Sequence, residues 1–299
     1  MAQKKISCII NPTAANHKWK KHKKMRTYLE RHIPGQIFDS YQDKADTIQK
    51  AKVLSLESDV LIAAGGDGTI ADVIQGITEA NRGKNTALAV LPLGSGNAFR
   101  KSLGIPLSVR KSLQLIEHGK KKEIDLIDIE GRAATFGSIG ATAQITHHKN
   151  QHDIPGFWGH LKAGLIMFKL PQKEFNVELF AGIDENGVSF ENKSMSIHAL
   201  DCVFGKTNYF GYNWKISPQA IIDDGFIDIT FFEITPVQYL FAFPRIYFGT
   251  FQKKLKHFKA KKAIFRGRDL HIQYHGEYLG TRDNITMTIM PRALTVIVP

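Results

Sequence analysis

Cysteine is almost missing. Cys8 and Cys202 are the two in 299 residues. That number excludes a disulfide framework, and Cys8 lies inside an apparent core strand, not at a redox-active turn. Long apolar runs are missing too: none approaches the ~18 residues of a membrane-spanning helix. The start, Met1-Ala2-Gln3-Lys4-Lys5, leads straight into a short strand without the apolar segment of a signal peptide, so the expected location is the cytoplasm. Acidic residues are in short supply, 28 against 40 Lys and Arg, for a net charge of +12. Such a surplus points to a polyanionic partner: nucleic acid, an anionic membrane or a polyanionic substrate. At this length one core is stretched and two are comfortable.

The stretch that organises the chain is Val60-Leu61-Ile62-Ala63-Ala64-Gly65-Gly66-Asp67-Gly68-Thr69. An apolar run ends in three glycines, an aspartate and a threonine. Apolar residues then recur at Ile70, Val73, Ile74 and Ile77, the spacing of a helix over 70–80. The pattern predicts a buried strand, a tight turn and a helix. Glycines let backbone N–H groups converge without Cβ atoms in the way, and the helix start adds a positive dipole end. Both favour an anion, above all a phosphate. Asp67 is the odd member: a carboxylate among phosphates needs a firm hydrogen-bond role or a cation, which points to Mg²⁺ nearby. The plainer alternative is a turn that needs glycine for its backbone alone.

Gly65-Gly66-Asp67-Gly68-Thr69 resembles the nucleotide-binding signature of diacylglycerol kinases, sphingosine and ceramide kinases, and NAD kinases. The resemblance implies ATP and Mg²⁺ as ligands, and it extends along the chain. Asn11-Pro12, closing the first strand Ile6-Ser7-Cys8-Ile9-Ile10, matches a turn that lies over the nucleotide in lipid kinases, although Ala15 or Asn16 stands where glycine is usual. Ser40 and Tyr41 compete for a nucleotide-contacting threonine. Ala71 and Asp72 replace the usual Asn-Glu, so an amide is lost and a shorter carboxylate kept. A second strand, Ala87-Leu88-Ala89-Val90-Leu91, ends in Pro92-Leu93-Gly94-Ser95-Gly96-Asn97. Two such turns can lie side by side at the carboxyl edge of one sheet, where ligands bind. This second turn, with Leu103-Gly104-Ile105-Pro106 behind it, belongs to the lipid kinases and is not typical of NAD kinases.

Up to about residue 118 strands and helices alternate, which predicts a parallel Rossmann-like α/β sheet; after Gly119-Lys120-Lys121-Lys122, period-two strands dominate. The expectation is an ATP-binding α/β domain over 1–120 and a mostly antiparallel, β-rich lipid-binding domain over 121–292. The resemblance adds an interdomain cleft and a last strand, 293–299, returning to the first domain. Asp125 matches a family aspartate near that cleft, though a solvated acid reads equally well. Phe136-Gly137-Ser138-Ile139-Gly140-Ala141 resembles the family's glycine turn there. Ser217-Pro218-Gln219-Ala220-Ile221-Ile222-Asp223-Asp224-Gly225-Phe226 matches a family signature almost throughout. By that resemblance Asp224, with the Ile221 and Phe226 carbonyls, would hold a structural or regulatory Mg²⁺; a simple Asp-Gly turn is the alternative. Tyr274-His275-Gly276-Glu277 falls where lipid kinases carry Asp-Gly-Glu, whose glutamate is the proposed general base. Glu277 is retained and His275 replaces the aspartate.

Other features are less specific. His147, His148 and His152 lack the spacing of a zinc cage. The aromatic stretch 157–168 reads as core, or as a lid contacting lipid. Basic runs at 18–26 and 253–268 read as solvated faces, or as patches for an anionic membrane. No nucleic-acid motif accompanies them. The expected function is an ATP-dependent lipid kinase: phosphates over the Gly65–Thr69 and Gly94–Asn97 turns, Mg²⁺ on the phosphates, and Glu277 as base toward the hydroxyl of a diacylglycerol-like or sphingoid lipid. The expected partner is lipid at a membrane surface, with peripheral contact at the inner face; a homodimer is left open. The alternatives are an NAD kinase and a catalytically weak nucleotide or lipid binder.

Overall fold

A computed structural model describes residues 4–14, 23–40, 43–151, 170–211, 214–251 and 255–299. The chain divides into two compact units, Met1–Ile124 with Arg292–Pro299, and Asp125–Pro291.

The first unit alternates strands and helices: β1 (Ile6–Ile10), α1 (Lys23–His32), β2 (Gln36–Asp39), α2 (Lys44–Glu57), β3 (Val60–Gly65), α3 (Asp67–Glu79), β4 (Ala87–Pro92), α4 (Ala98–Ser102) and α5 (Val109–His118). Its strands run parallel in the order β4-β3-β1-β2. All six residues of β3 and all six of β4 are buried, which is why their sequences are unbroken apolar runs and not alternations. Cys8, Ile10, Ile62, Ala89 and Leu91 share one core with Ile297, and Val296 pairs in parallel with Leu88. Helix α2 starts at Asp43, whose side chain accepts from the Asp46 N–H. Its buried face is Thr47, Ala51 and Ser55, while Leu56 is exposed. Helical spacing over 46–56 predicts Ile48, Ala51 and Leu54 or Leu56 inward; Leu54 is half-buried, and Leu56 is not the inward residue. The cause is close approach: a Cβ built at Gly76 of α3 would lie 2.5 Å from Ala51 Cβ, so small residues occupy the α2–α3 contact.

In the second unit β5 (Lys120–Ile129) leads into β6 (Arg132–Ala134), β7 (Phe136–Gly140), α6 (Ala141–Gln151), β8 (Lys173–Ile183), β9 (Ser189–Ala199), β10 (Asp201–Gly205), β11 (Ile227–Phe232), α7 (Pro236–Tyr247), β12 (Leu255–Tyr274) and β13 (Glu277–Val298). The pairings β5–β6, β7–β10, β10–β11, β11–β12, β7–β12, β8–β12, β8–β9 and β12–β13 are antiparallel. Strand β12 pairs with β11 through Leu255–Ala260 and with β7 through Ile272–Tyr274, and β10 joins β7 to β11, so four strands close a ring. Phe175, Phe204, Phe231, Phe258 and Phe265 fill its core. The segment expected as a glycine turn, Phe136 to Ala141, is instead strand β7, buried throughout. Only Gly140, at φ 122°, has turn-like backbone, and a Cβ there would lie 2.9 Å from the Leu200 carbonyl oxygen. Asp125 is buried, not solvated. Within the basic stretch that includes β12, Lys256 pairs with Glu233, Lys259 with Asp224 and Arg266 with Glu178. Ala15, Asn16, Tyr41, His152, the stretch 157–168, Lys253, Lys254 and much of the run 18–26 lie outside the described residues.

Candidate active site

Strands β3 and β4 are neighbours, with Gly65 in register with Pro92. Their following turns therefore leave the same edge of the sheet, and the glycines let the backbones touch. The Gly65 carbonyl accepts both the Leu93 and Gly94 N–H groups at 3.0 Å. A Cβ built at Gly94 would sit 2.3 Å from Gly66 Cα, and one at Gly66 would sit 3.3 Å from Gly94 Cα. At Gly68 the same construction meets nothing within 4 Å. Gly66 and Gly94 are thus needed for close packing of the two turns, whereas Gly68 leaves its side of the α3 N-terminus open.

Asp67 links the turns. Its two carboxylate oxygens accept the N–H groups of Ala98 (3.0 Å) and Phe99 (3.1 Å). It caps α4 in place of Asn97, which precedes that helix in left-handed conformation (φ 52°) and makes no side-chain cap bond. Burial raises the Asp67 pKa, and the two N–H donors and Arg100 offset this only in part. The carboxylate expected beside Mg²⁺ thus holds a firm hydrogen-bond role toward α4. Asn97 donates from Nδ2 to the Gly94 carbonyl at 2.7 Å. Its Oδ1 is buried with no hydrogen-bond partner among the described residues. Asn11 fastens the first turn to the central one: Nδ2 donates to Thr69 Oγ1 at 3.1 Å, and Oδ1 accepts the Thr13 N–H at 2.8 Å. Pro12 and Thr69 are buried, Asp72 is half-buried, and Ser95 and Gly96 are not buried. Ser40, a candidate nucleotide contact, is buried and bonded to Thr47 Oγ1 at 2.5 Å.

In the second unit His275 and Gly276 connect β12 to β13. Both have positive φ, 48° and 80°, as the two central residues of a type I′ hairpin turn must. Asp and Asn favour that conformation, and histidine also enters it. His275 Nε2 accepts the Thr135 N–H at 3.0 Å, so the proton of the neutral ring is on Nδ1. The ring also lies 4.8 Å from that of Phe136. His275 thus serves as a turn residue tied to its own unit. Glu277, first residue of β13, is half-buried.

At the Ser217–Phe226 segment, Asn208 Nδ2 donates to the Pro218 and Ala220 carbonyls at 3.1 and 2.9 Å. Gly225 has φ 77° and donates its N–H to Asp125 Oδ2 at 2.7 Å. Asp224 accepts Lys206 Nζ at 2.6 Å and Lys259 Nζ at 2.5 Å. Burial alone would raise the Asp224 pKa; the two ammonium groups outweigh it and hold the carboxyl below its usual range.

Residues 5–129 match the model of a diacylglycerol kinase catalytic domain, and residues 180–298 match that of a YegS C-terminal NAD kinase beta sandwich-like domain. The chain is 28% identical over 305 residues to a diacylglycerol kinase of Staphylococcus aureus (strain bovine RF122 / ET3-1), covering 93% of this chain and 87% of that one. It is 26% identical over 238 residues to a diacylglycerol kinase of Staphylococcus saprophyticus, covering 78% and 75%. The chain is thus similar to diacylglycerol kinase-like proteins in both of its matched stretches. A crystal structure of a diacylglycerol kinase from Bacillus anthracis str. Sterne shares the fold, with a TM-score of 0.71 at 19% identity, covering 100% of this chain and 98% of that one.

The first unit's turns fit a nucleotide: an open glycine at a helix start, a buried amide oxygen at Asn97 with no partner among the described residues, and a second glycine turn in contact. The expected metal set of Asp224, Ile221 and Phe226 does not fit Mg²⁺. Lys206 Nζ bonds both Asp224 and the Phe226 carbonyl, and it needs no metal between them. Sequence reasoning missed Lys206 and Asn208. A lysine directly after the buried run Cys202-Val203-Phe204-Gly205 was the available signal, since lysine is rarely buried unless paired.

Proposed function

We propose that this chain transfers the γ-phosphoryl group of ATP to the hydroxyl of a diacylglycerol-like or sphingoid lipid. The observation that carries the reading is the backbone contact of the two glycine turns, Gly66 against Gly94, beside the open Gly68. In this role the N–H groups around Gly66, Gly68, Gly94, Ser95 and Gly96 bind phosphate oxygens. Asp67 holds α4, and with it the second turn, in position. Asn11 and Thr69 keep the first turn against the central one. Mg²⁺ bound with the nucleotide would neutralise charge on the β- and γ-phosphates. Glu277 takes the proton of the lipid hydroxyl; His275 is occupied at Nε2 by Thr135 and is not the base. Catalysis of this kind is mainly positioning and charge neutralisation.

A lipid acceptor requires contact with a bilayer, and α7 supports that part of the reading. Val237, Leu240, Phe241 and Phe248 are exposed, at the spacing of one helix face, while Tyr239, Ala242 and Ile246 are buried on the other. An exposed apolar stripe of this kind, with Arg245 in the last turn, suits peripheral insertion into the headgroup region of an anionic membrane at its cytoplasmic face.

The test is ATP consumption with diacylglycerol, a sphingoid base or ceramide in mixed vesicles, and with NAD in their absence. Consumption that depends on one of the lipids supports the proposal. Consumption with NAD and none of the lipids would make the chain an NAD kinase, and no consumption at all would make it a binder.

A further inference from the structure

The Asp224 turn is built around a cation that belongs to the chain itself. Lys206 follows β10 and is 0% exposed. Its Nζ lies 2.6 Å from Asp224 Oδ1 and 3.2 Å from Asp125 Oδ2, and it donates to the Phe226 carbonyl. An ammonium has three donors and no acceptor, and here three oxygens meet it. The elements these oxygens come from are separate: Asp125 is on β5, while Asp224 and Phe226 flank the positive-φ Gly225 ahead of β11. Gly225 is itself fixed by its N–H on Asp125. Lys206 therefore holds β5, β10 and the turn before β11 together.

We propose that the Lys206 ammonium is the resident cation of this site and takes the place of a divalent metal, so that the Asp224 turn is held without Mg²⁺. The distances agree with this assignment. Mg²⁺ would require oxygens at about 2.0–2.1 Å in an octahedral shell completed by water, whereas 2.6 and 3.2 Å are N–H···O lengths. Charge argues the same way. Lys259 Nζ lies on the other Asp224 oxygen at 2.5 Å and 3.7 Å from Asp228, so a divalent ion would enter against two ammonium groups. At such separations like charges repel strongly enough to lower metal affinity by at least about a hundredfold. A lysine can hold this place because every one of its N–H groups is matched; an unmatched one would not survive full burial.

One consequence rests on the kinase reading: turnover follows the concentration of the Mg²⁺–nucleotide complex, and further free Mg²⁺ adds nothing. The assignment itself does not rest on that reading and is tested without nucleotide. Mn²⁺ is titrated, to millimolar concentration, into the full chain and into the Asp224→Asn variant, with free Mn²⁺ read by its paramagnetic resonance signal. The expected result is the same number of bound ions in both. One equivalent bound by the wild type and lost in Asp224→Asn would overturn the proposal. A Lys206→Ala variant gives the converse. It is expected to gain one Mn²⁺ site that Lys206→Ala/Asp224→Asn lacks, and to melt at a temperature that rises with Mn²⁺. A folded Lys206→Ala that gains no site would also overturn it. If Lys206→Ala does not fold, the comparison of wild type with Asp224→Asn decides alone.

Discussion

Replacing Gly94 by alanine tests whether the two glycine turns act as one device. The added Cβ would be 2.3 Å from Gly66 Cα and 3.0 Å from Gly66 N, against an ordinary carbon–carbon contact of about 3.5–4.0 Å. The obstruction is backbone, so no side chain can rotate away. The turns must part by more than about 1 Å, which strains the Leu93 and Gly94 bonds to the Gly65 carbonyl. Overpacking of this kind costs about 1–3 kcal/mol. For a chain of this size that corresponds to a fall in Tm of roughly 2–12 °C. Nucleotide affinity should fall about 5- to 150-fold if the same energy is needed to close the turns around phosphate. Gly68→Ala is the contrast. Its Cβ meets nothing within 4 Å, so Tm should hold or rise slightly, since alanine is the better helix former by about 1 kcal/mol. Nucleotide binding should nevertheless be lost, because on the proposed reading phosphate approaches the backbone at Gly68 and the added Cβ would take up that space. Calorimetric titration with ATP and thermal melts of both variants give the comparison. Wild-type affinity and Tm in Gly94→Ala would refute the reasoning about contact, and wild-type affinity in Gly68→Ala would refute the phosphate position.

Asp67→Ala deprives Ala98 and Phe99 N–H groups of their acceptor; it should cost about 1–3 kcal/mol in urea unfolding and abolish ATP turnover, and normal turnover in the folded variant would make Asp67 purely structural. Asp201 is buried and its pKa is raised by that burial to about 7, despite its bonds from Thr142. Because the folded pKa lies above the unfolded value, the native state holds the extra proton at low pH, and stability is lost as pH rises from about 4 to about 7, by up to about 4 kcal/mol. Asp201→Asn should flatten that part of the pH–stability curve; a wild-type curve that matches the variant over this range would contradict the shift. Phe241 is 81% exposed, so Phe241→Ser should leave Tm unchanged while weakening binding to anionic vesicles by about tenfold or more; unchanged sedimentation with vesicles would remove α7 from the membrane contact.

The parts legible in the sequence were those where local pattern and tertiary role coincide. Strands β3 and β4 read correctly because a strand buried on both faces has no polar residues to disguise it. The glycine turns read correctly as turns because crowding at Gly65 and Gly94 leaves no room for a Cβ. Misreadings arose where a long-range partner decided the outcome. Leu54 or Leu56 was expected inward, but the approach of Gly76 to Ala51 turned a small-residue face to the core, with Leu54 half-buried and Leu56 exposed. The segment at Phe136 looked like a turn because of its glycines, yet Gly137 is there to admit Phe204, whose ring carbon would lie 2.4 Å from a Cβ. Asp224 and Phe226 resembled metal ligands, and Lys206, eighteen residues away, supplies the cation instead. His275 looked like a lost acid; its positive φ marks it as a residue of the turn.

The central claim is phosphoryl transfer from ATP to a lipid hydroxyl with Glu277 as base. It is tested by supplying γ-labelled ATP with vesicles containing diacylglycerol and following the label into the organic phase, for the wild type, Glu277→Gln and His275→Asn. A positioned base contributes about 10²–10⁴-fold in rate. The account predicts labelled phospholipid with the wild type, at least a hundredfold less with Glu277→Gln at unchanged ATP affinity, and a rate near wild type with His275→Asn wherever that variant folds. No organic-phase label with the wild type and any of the acceptor lipids, or an active Glu277→Gln beside an inactive, folded His275→Asn, would contradict it.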